Sequence, residues 1–250
     1  SFSRALWAPG RRILFSMLPV NNRWEAIWTD LESPAADQGK GWGVIAGGGD
    51  ARQAGAAMIS HDGSRLVYVS GSDTGIGMAQ SDGDVALVPF NNGQGGPSTP
   101  LSGASDPAWN EYYPVFSPDD ALLAFNRAPK GASSVNNPQA EVFVVPTAGG
   151  APLRLLANDP PQCSGKKSPG ITNSWPRWAP ETGRAGGKRY YFLTFSSTRA
   201  ESGTPQLYTA PVVIDENGTI SSYPALPLWN QPATEGNHTP AWDVFRLVLE

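Results

Sequence analysis

The sequence predicts an all-β fold of repeated antiparallel units, and three observations lead to it. Gly and Pro number 28 and 24 in 250 residues, about a fifth of the chain, which interrupts long helices and suits short strands joined by turns. A stretch of anchor residue, tight turn and apolar run recurs five times. Its aligned anchors are Trp7, Ile59, Phe116, Trp178 and Trp242, separated by 52, 57, 62 and 64 residues. A second apolar run ending on Pro follows the middle anchors at a near-constant offset: residues 85–89 (VALVP), 142–146 (VFVVP) and 207–211 (LYTAP) end 30, 30 and 33 residues on.

Each repeat reads as four short strands. The anchor strand comes first, then a Ser-Pro-Asp-type turn, then an apolar second strand such as residues 122–125 (LLAF) or 66–69 (LVYV). A longer connection leads to the third strand, whose Pro suits a strand end because it lacks the N–H a ladder needs. In the first repeat residues 24–30 (WEAIWTD) hold that place without the Pro, and an outer strand such as residues 151–157 closes a unit. Four-stranded units at this period are the blades of a β-propeller, in which stacked neighbours bury the faces that one blade leaves open. The expected repeats are 1–52, 53–109, 110–172 and 173–236, with 237–250 starting or closing a further blade.

Composition excludes several function classes. A net charge of −4 with scattered basic residues offers nucleic acid no electrostatic footprint. No apolar run reaches the roughly 18 residues that cross a bilayer, and residues 1–15 lack a signal-peptide layout. Cys163 is the single cysteine, which rules out an internal disulfide framework. There is no Gly-x-Ser-x-Gly elbow, and the only histidines are His61 and His238, too few for a multi-His metal site. The acidic stretch at residues 214–220 (IDENGTI) lacks the alternating ligands of a calcium loop and reads as a hairpin turn at Asn217–Gly218.

The stretches "YPVFSPDDALLAF" and "EVFVVPTAGGAPLRLL" resemble the WD40-like propeller repeat of TolB and its relatives. The third repeat matches closely. The second carries His61 in place of the motif's Pro, and the fourth has "APET" at residues 179–182 and an insertion. The resemblance implies a periplasmic, envelope or secreted protein, and a non-enzymatic disc that binds a protein partner. The alternative is the propeller portion of a larger hydrolase, of the prolyl-oligopeptidase kind, or a lyase with its site at the channel mouth.

In a propeller the anchor strand is innermost, so residues five places before each anchor face one end of the channel. These are Phe2, Ala54, Glu111, Asn173 and Asn237. Glu111, Asn173 and Asn237 could converge as oxygen ligands for calcium, with Tyr112, Ser174 and His238 beside them as further ligand-binding groups. The simpler reading makes them strand caps. Glu111 is also the carboxylate expected to matter if the chain is catalytic. The turn-rich loops 90–100 and 158–170 are candidates for recognition. Tyr113 and Trp175 are expected in the core, while Trp42 and Trp109 are left open between core and surface.

Overall fold

The computed structural model describes residues 6–8, 11–33, 38–72 and 79–242. They form four antiparallel sheets in chain order, each with its main strands side by side. Sheet 1 holds β1 (Leu6–Ala8), β2 (Arg11–Val20), β3 (Arg23–Asp30) and β4 (Trp42–Val44), followed by a short β5 (Ala46–Gly48). Sheet 2 holds β6 (Gln53–Ile59), β7 (Arg65–Gly71) and β8 (Asp84–Pro89). Its chain then leaves the sheet as β9 (Gly95–Pro97) and returns as the edge strand β10 (Thr99–Pro100). Sheet 3 is β11 (Trp109–Phe116), β12 (Leu122–Pro129), β13 (Glu141–Pro146) and β14 (Leu153–Arg154). Sheet 4 contains β15 (Asn173–Trp178), β16 (Gly183–Ala185), β17 (Lys188–Ser197), β18 (Gln206–Ile214), β19 (Ile220–Ser222) and β20 (Leu226–Pro227). No helix among the described residues is long and apolar enough to cross a membrane.

The sheets stack in sequence, and one anchor fills each seam. Ile59 packs with Phe15, Trp28 and Tyr68 between sheets 1 and 2. Phe116 packs with Val67, Leu123 and Val145 between sheets 2 and 3. Trp178 packs with Val115, Val144 and Leu193 between sheets 3 and 4, and its indole N–H donates to the Val115 carbonyl at 3.1 Å. Burying each large anchor is worth about 2 kcal/mol from apolar area alone, so the repeated aromatic or aliphatic position holds neighbouring sheets together. The tight turns add polar links. Asp120 accepts from the His61 amide and pairs with its ring Nδ1, both at 2.8 Å, and accepts from the Asp62 amide at 2.9 Å. Asp119 accepts from Tyr191 at 2.8 Å and from Arg189 at 3.0 Å.

A bulge recurs in the first strand of three sheets. The register slips between Gly55 and Met58, between Tyr112 and Val115, and between Ser174 and Arg177. Ala56, Tyr113 and Trp175 lie in these slips with φ of +47°, +53° and +58°, each three residues before its anchor. An extra residue in one strand sharpens the local twist and re-aims a side chain. Here it turns Tyr113 and Trp175 onto each other.

Two expectations change. The run expected to end on Pro211 continues to Ile214, because Pro211 lies on β18 between the residues paired with β20 (208 and 209) and those paired with β19 (212 to 214). Loop 90–100 is not free of structure, since β9 pairs in parallel with β5. Gly95, at φ +72°, permits that pairing: a Cβ there would lie 2.2 Å from the Ala46 carbonyl oxygen. Trp42 is half-buried, and Trp109 is 36% exposed. Phe2 and residues 243–250 lie outside the described residues.

Candidate functional site

The structure gives the predicted inner-strand residues separate surroundings. Glu111 on β11 is fully buried; its Oε1 accepts from Arg127 Nε at 3.0 Å and Nη2 at 2.5 Å, and its Oε2 from the Asp106 amide at 3.0 Å. Arg127 is itself held over the rings of Trp109, Phe125 and Phe143. Burial, opposed by this guanidinium, pushes the Glu111 carboxyl up to about 7. Asn173 on β15 accepts from Ser197 and from Arg199, both at 2.8 Å, and donates to the Asn158 carbonyl and to Ser168. Asn237 donates to the side chains of Gln206 and Gln231, and His238 is exposed. Tyr112 is core, and Ser174 donates to Asn126 at 3.4 Å.

Thus Glu111 and Asn173 each face a guanidinium, where a calcium ion would have needed free oxygens. Among the described residues no three His, Cys, Asp or Glu side chains group closely enough to hold a metal ion. The pairing Glu111–Arg127 in sheet 3 and Asn173–Arg199 in sheet 4 makes the position a repeated internal clamp. Glu111 itself is fully buried, and its partner Arg127 keeps 10% side-chain exposure.

A different cluster has the required accessibility. It lies at the seam of sheets 1 and 2 and draws on β3, the link after β5, β7 and β8. Gly47 to Asp50 forms a turn closed by the Asp50 amide on the Gly47 carbonyl at 3.1 Å. That turn brings the Asp50 carboxylate to the Tyr68 hydroxyl at 2.6 Å, and the same hydroxyl meets Ser98 Oγ at 2.6 Å. Gly47 eases the approach, since a Cβ there would stand 3.1 Å from the Tyr68 hydroxyl, a tight contact. Arg52 donates its amide to Asp50 at 2.9 Å and its Nη1 to Asp84 at 2.6 Å. Arg23 pairs with Glu25 at 3.0 Å and donates to the Asp50 carbonyl at 3.1 Å. Glu25, Asp50 and Asp84 keep side-chain exposures of 21%, 15% and 14%, so solvent reaches all three.

The two carboxyl groups in this cleft are displaced in opposite directions. Burial raises Glu25, with Asp50 adding to the rise and Arg23 opposing it. Burial also acts to raise Asp50, but the nearby Ser70 hydroxyl, the hydrogen bonds from Tyr68 and the Arg52 amide, and the Arg52 charge outweigh it and leave the carboxyl below its ordinary value. Tyr68 is pushed well up, by burial first and then by Asp50. Two carboxyl groups whose surroundings displace them in opposite directions are an arrangement that acid–base chemistry uses. A cavity of about 100 Å³ adjoins Asp50, lined also by Arg52, Ser70, Asp84 and Ser98; the space that Glu25 and Asp50 line together is about 10 Å³. A wider groove of about 740 Å³ lies at Trp28, Gln38, Asn92 and Gln94, and among the described residues no titratable side chain lines it. The reading from sequence missed the cluster because its members are scattered over three strands and a turn. The one local signal was the charged pair Asp50 and Arg52 directly after a run of three glycines.

No family model and no curated protein matches this sequence. Solved structures do. An endo-1,4-β-xylanase from Bacteroides thetaiotaomicron has a TM-score of 0.49 and 9% identity over 90% of this chain and 78% of its own. The catalytic domain of a Coprinopsis cinerea GH62 α-L-arabinofuranosidase gives 0.40 and 9% over 84% and 63%. Prolyl oligopeptidase B from Galerina marginata gives 0.41 and 10% over 90% of this chain but 27% of the enzyme. The chain therefore spans less than two thirds of the latter two. At such identities the likeness is one of fold, and no residue role passes from them. The non-enzymatic binding scaffold expected from the sequence is not what these three structures are: they are two glycoside hydrolases and a peptidase.

Proposed function

We propose that this chain is a hydrolase-related β-propeller domain, its four sheets being successive blades, with Glu25 and Asp50 as the acid–base pair. The blade reading is supported by the repeated four-strand order, by seam packing between consecutive sheets and by the bulge that recurs three residues before each of three anchors. It also agrees with the resemblance of the third repeat to the TolB-type motif. The observation that carries the chemistry is the opposed displacement of two carboxyl groups in one solvent-reached cleft. In a hydrolytic step Glu25 gives its proton to the leaving group while Asp50 takes one from the attacking water. The Tyr68 hydroxyl fixes Asp50, and Arg52 and Arg23 keep the cleft from becoming wholly anionic.

The test is turnover of aryl glycosides, plant polysaccharides and peptide amides by the unmodified protein, Glu25→Gln and Asp50→Asn. We expect hydrolysis in one of these classes, reduced by about 10²-fold or more in each variant. Equal turnover in all three proteins, or none by the unmodified one, would overturn the proposal.

A further inference from the structure

We infer that the groove of about 740 Å³ between β4 and the turn after β8 binds an uncharged saccharide, with the Trp28 indole N–H at its floor. The inference goes beyond the acid–base reading and does not depend on it. Val44 and Ala46 line the groove, whereas Ile45 and Gly47 line the space between Glu25 and Asp50. Alternate residues of an extended run point to opposite faces, so the two sites lie on opposite sides of residues 44–47.

Trp28 carries the inference. It stands on β3 directly opposite Gly43 of β4, with most of its ring packed in the seam of sheets 1 and 2 and 8% of its surface exposed. Its Nε1 is the atom nearest to two glycines that line the groove. A Cβ on Gly43 would stand 2.7 Å from it, and one on Gly93 2.4 Å. Because neither position carries a side chain, the N–H edge is left facing the groove. Among the described residues no oxygen accepts from this N–H, and it is not one of the polar atoms sealed from solvent. A buried indole usually finds a partner for its N–H, as Trp178 does on the Val115 carbonyl. Trp28 holds the same donor ready for an oxygen from outside the chain.

The walls suit hydroxyl groups. Gln38 comes from the segment before β4, and Asn92 and Gln94 from the turn after β8; all three are exposed. A side-chain amide offers donors and an acceptor together, and a sugar hydroxyl uses both. No charged side chain among the described residues lines the groove, so an ionic ligand would meet no counter-charge. Glycines, Val44 and Ala46 make up the rest, without the deep apolar pockets that peptide side chains fill. The volume falls within the roughly 300–1,000 Å³ of small-ligand sites. The turn itself is fixed in place. Asn91, Asn92 and Gly93 follow one another at φ of +43°, +57° and +92°, a costly run that persists only where the surroundings impose it. The Gly93 and Gly95 amides both donate to the Phe90 carbonyl, at 2.9 and 3.2 Å, and β9 pairs with β5 just beyond.

Nuclear magnetic resonance on the full chain tests this, since each tryptophan gives one indole N–H signal. The Trp28 signal is identified by its loss in Trp28→Phe. Cellotetraose, xylotetraose and maltotetraose are titrated to about 10 mM, with blocked triglycine as the peptide control. At least one sugar should shift the Trp28 signal and saturate with a Kd of about 1 mM or tighter. Gln94→Ala, read by the same signal, and Trp28→Phe, read by calorimetry, should each weaken that binding about 5-fold through the loss of one hydrogen bond. If Trp28→Phe does not fold, the signal is assigned by triple-resonance spectra, and Gln38→Ala and Gln94→Ala at exposed positions carry the test. No shift of the Trp28 signal with any of the three sugars would overturn the inference. So would a shift whose affinity the variants leave unchanged, or saturation by the peptide alone, which would assign the groove to a main chain. A failed hydrolysis screen would leave a positive result standing.

Discussion

The rings of Tyr113 and Trp175 stack with centroids 3.9 Å apart and planes 17° apart, each carried by the left-handed residue of a bulge in its sheet's first strand. Neither bulge is an isolated defect. A non-glycine residue at positive φ costs roughly 1–2 kcal/mol, so its presence at the same repeat position in three sheets requires a return. The return here is ring contact between sheets 3 and 4, with Tyr112 edge-on to Tyr113 at 4.8 Å. Trp175→Ala should lower stability by about 3 kcal/mol in denaturant titration. A loss below about 1 kcal/mol would mean the stack contributes little.

Ala56 occupies the same bulge in sheet 2 but has no ring to stack, so its φ of +47° is strain with a small return. Ala56→Gly should raise stability by up to about 1 kcal/mol. The next residue, Ala57, is buried and not left-handed, and Ala57→Gly should lower stability by about 1 kcal/mol. The opposite order of the two variants in thermal unfolding would remove the strain argument.

Trp178 joins sheets 3 and 4 by packing and by one indole hydrogen bond. Trp178→Phe keeps most of the ring and removes the indole donor to the Val115 carbonyl, at a cost of about 1 kcal/mol. Trp178→Ala should cost about 4 kcal/mol. Equal losses in the two would show that the hydrogen bond, not the packing, holds the seam.

Glu111 gives a pH signature that can be separated from activity. Its carboxyl is raised to about 7 in the folded chain, against an ordinary value near 4.5. Between those two pH values the folded state holds the proton more tightly than the unfolded state. This group's contribution to stability is therefore full below pH 4.5 and is lost as pH rises to 7. The loss amounts to about 3 kcal/mol. In Glu111→Gln, whatever its absolute stability, that fall should be missing from denaturation curves measured at pH 5 and pH 7.5. The same slope in both proteins would contradict the assignment.

The repeat and its strands were legible because anchors, turns and Pro-ended runs are local patterns. Phe116 and Trp178 could be placed in seams from spacing alone. The bulges were not legible, since Tyr113 and Trp175 read as ordinary alternating strand residues. The surroundings of the site residues were not legible for a related reason. Glu111 and Asn173 share a repeat position, but whether a polar side chain faces a channel or an arginine depends on partners such as Arg127 and Arg199 further along the chain. Glu25 and Asp50 belong to no motif, and only packing of sheet 1 against sheet 2 brings them into one cleft.

The most direct test of the acid–base account is the pH dependence of hydrolysis by the unmodified protein. Asp50, held below its ordinary value, should set an acid limb below the usual aspartate range, and Glu25, held above its own, an alkaline limb above the usual glutamate range. Arg23→Gln removes the cation that opposes the rise of Glu25, so it should move the alkaline limb upward and leave the acid limb in place. A bell-shaped profile with that one-sided shift is the predicted result. A profile that Arg23→Gln leaves unchanged, or one with neither limb, would contradict the assignment of Glu25 and Asp50.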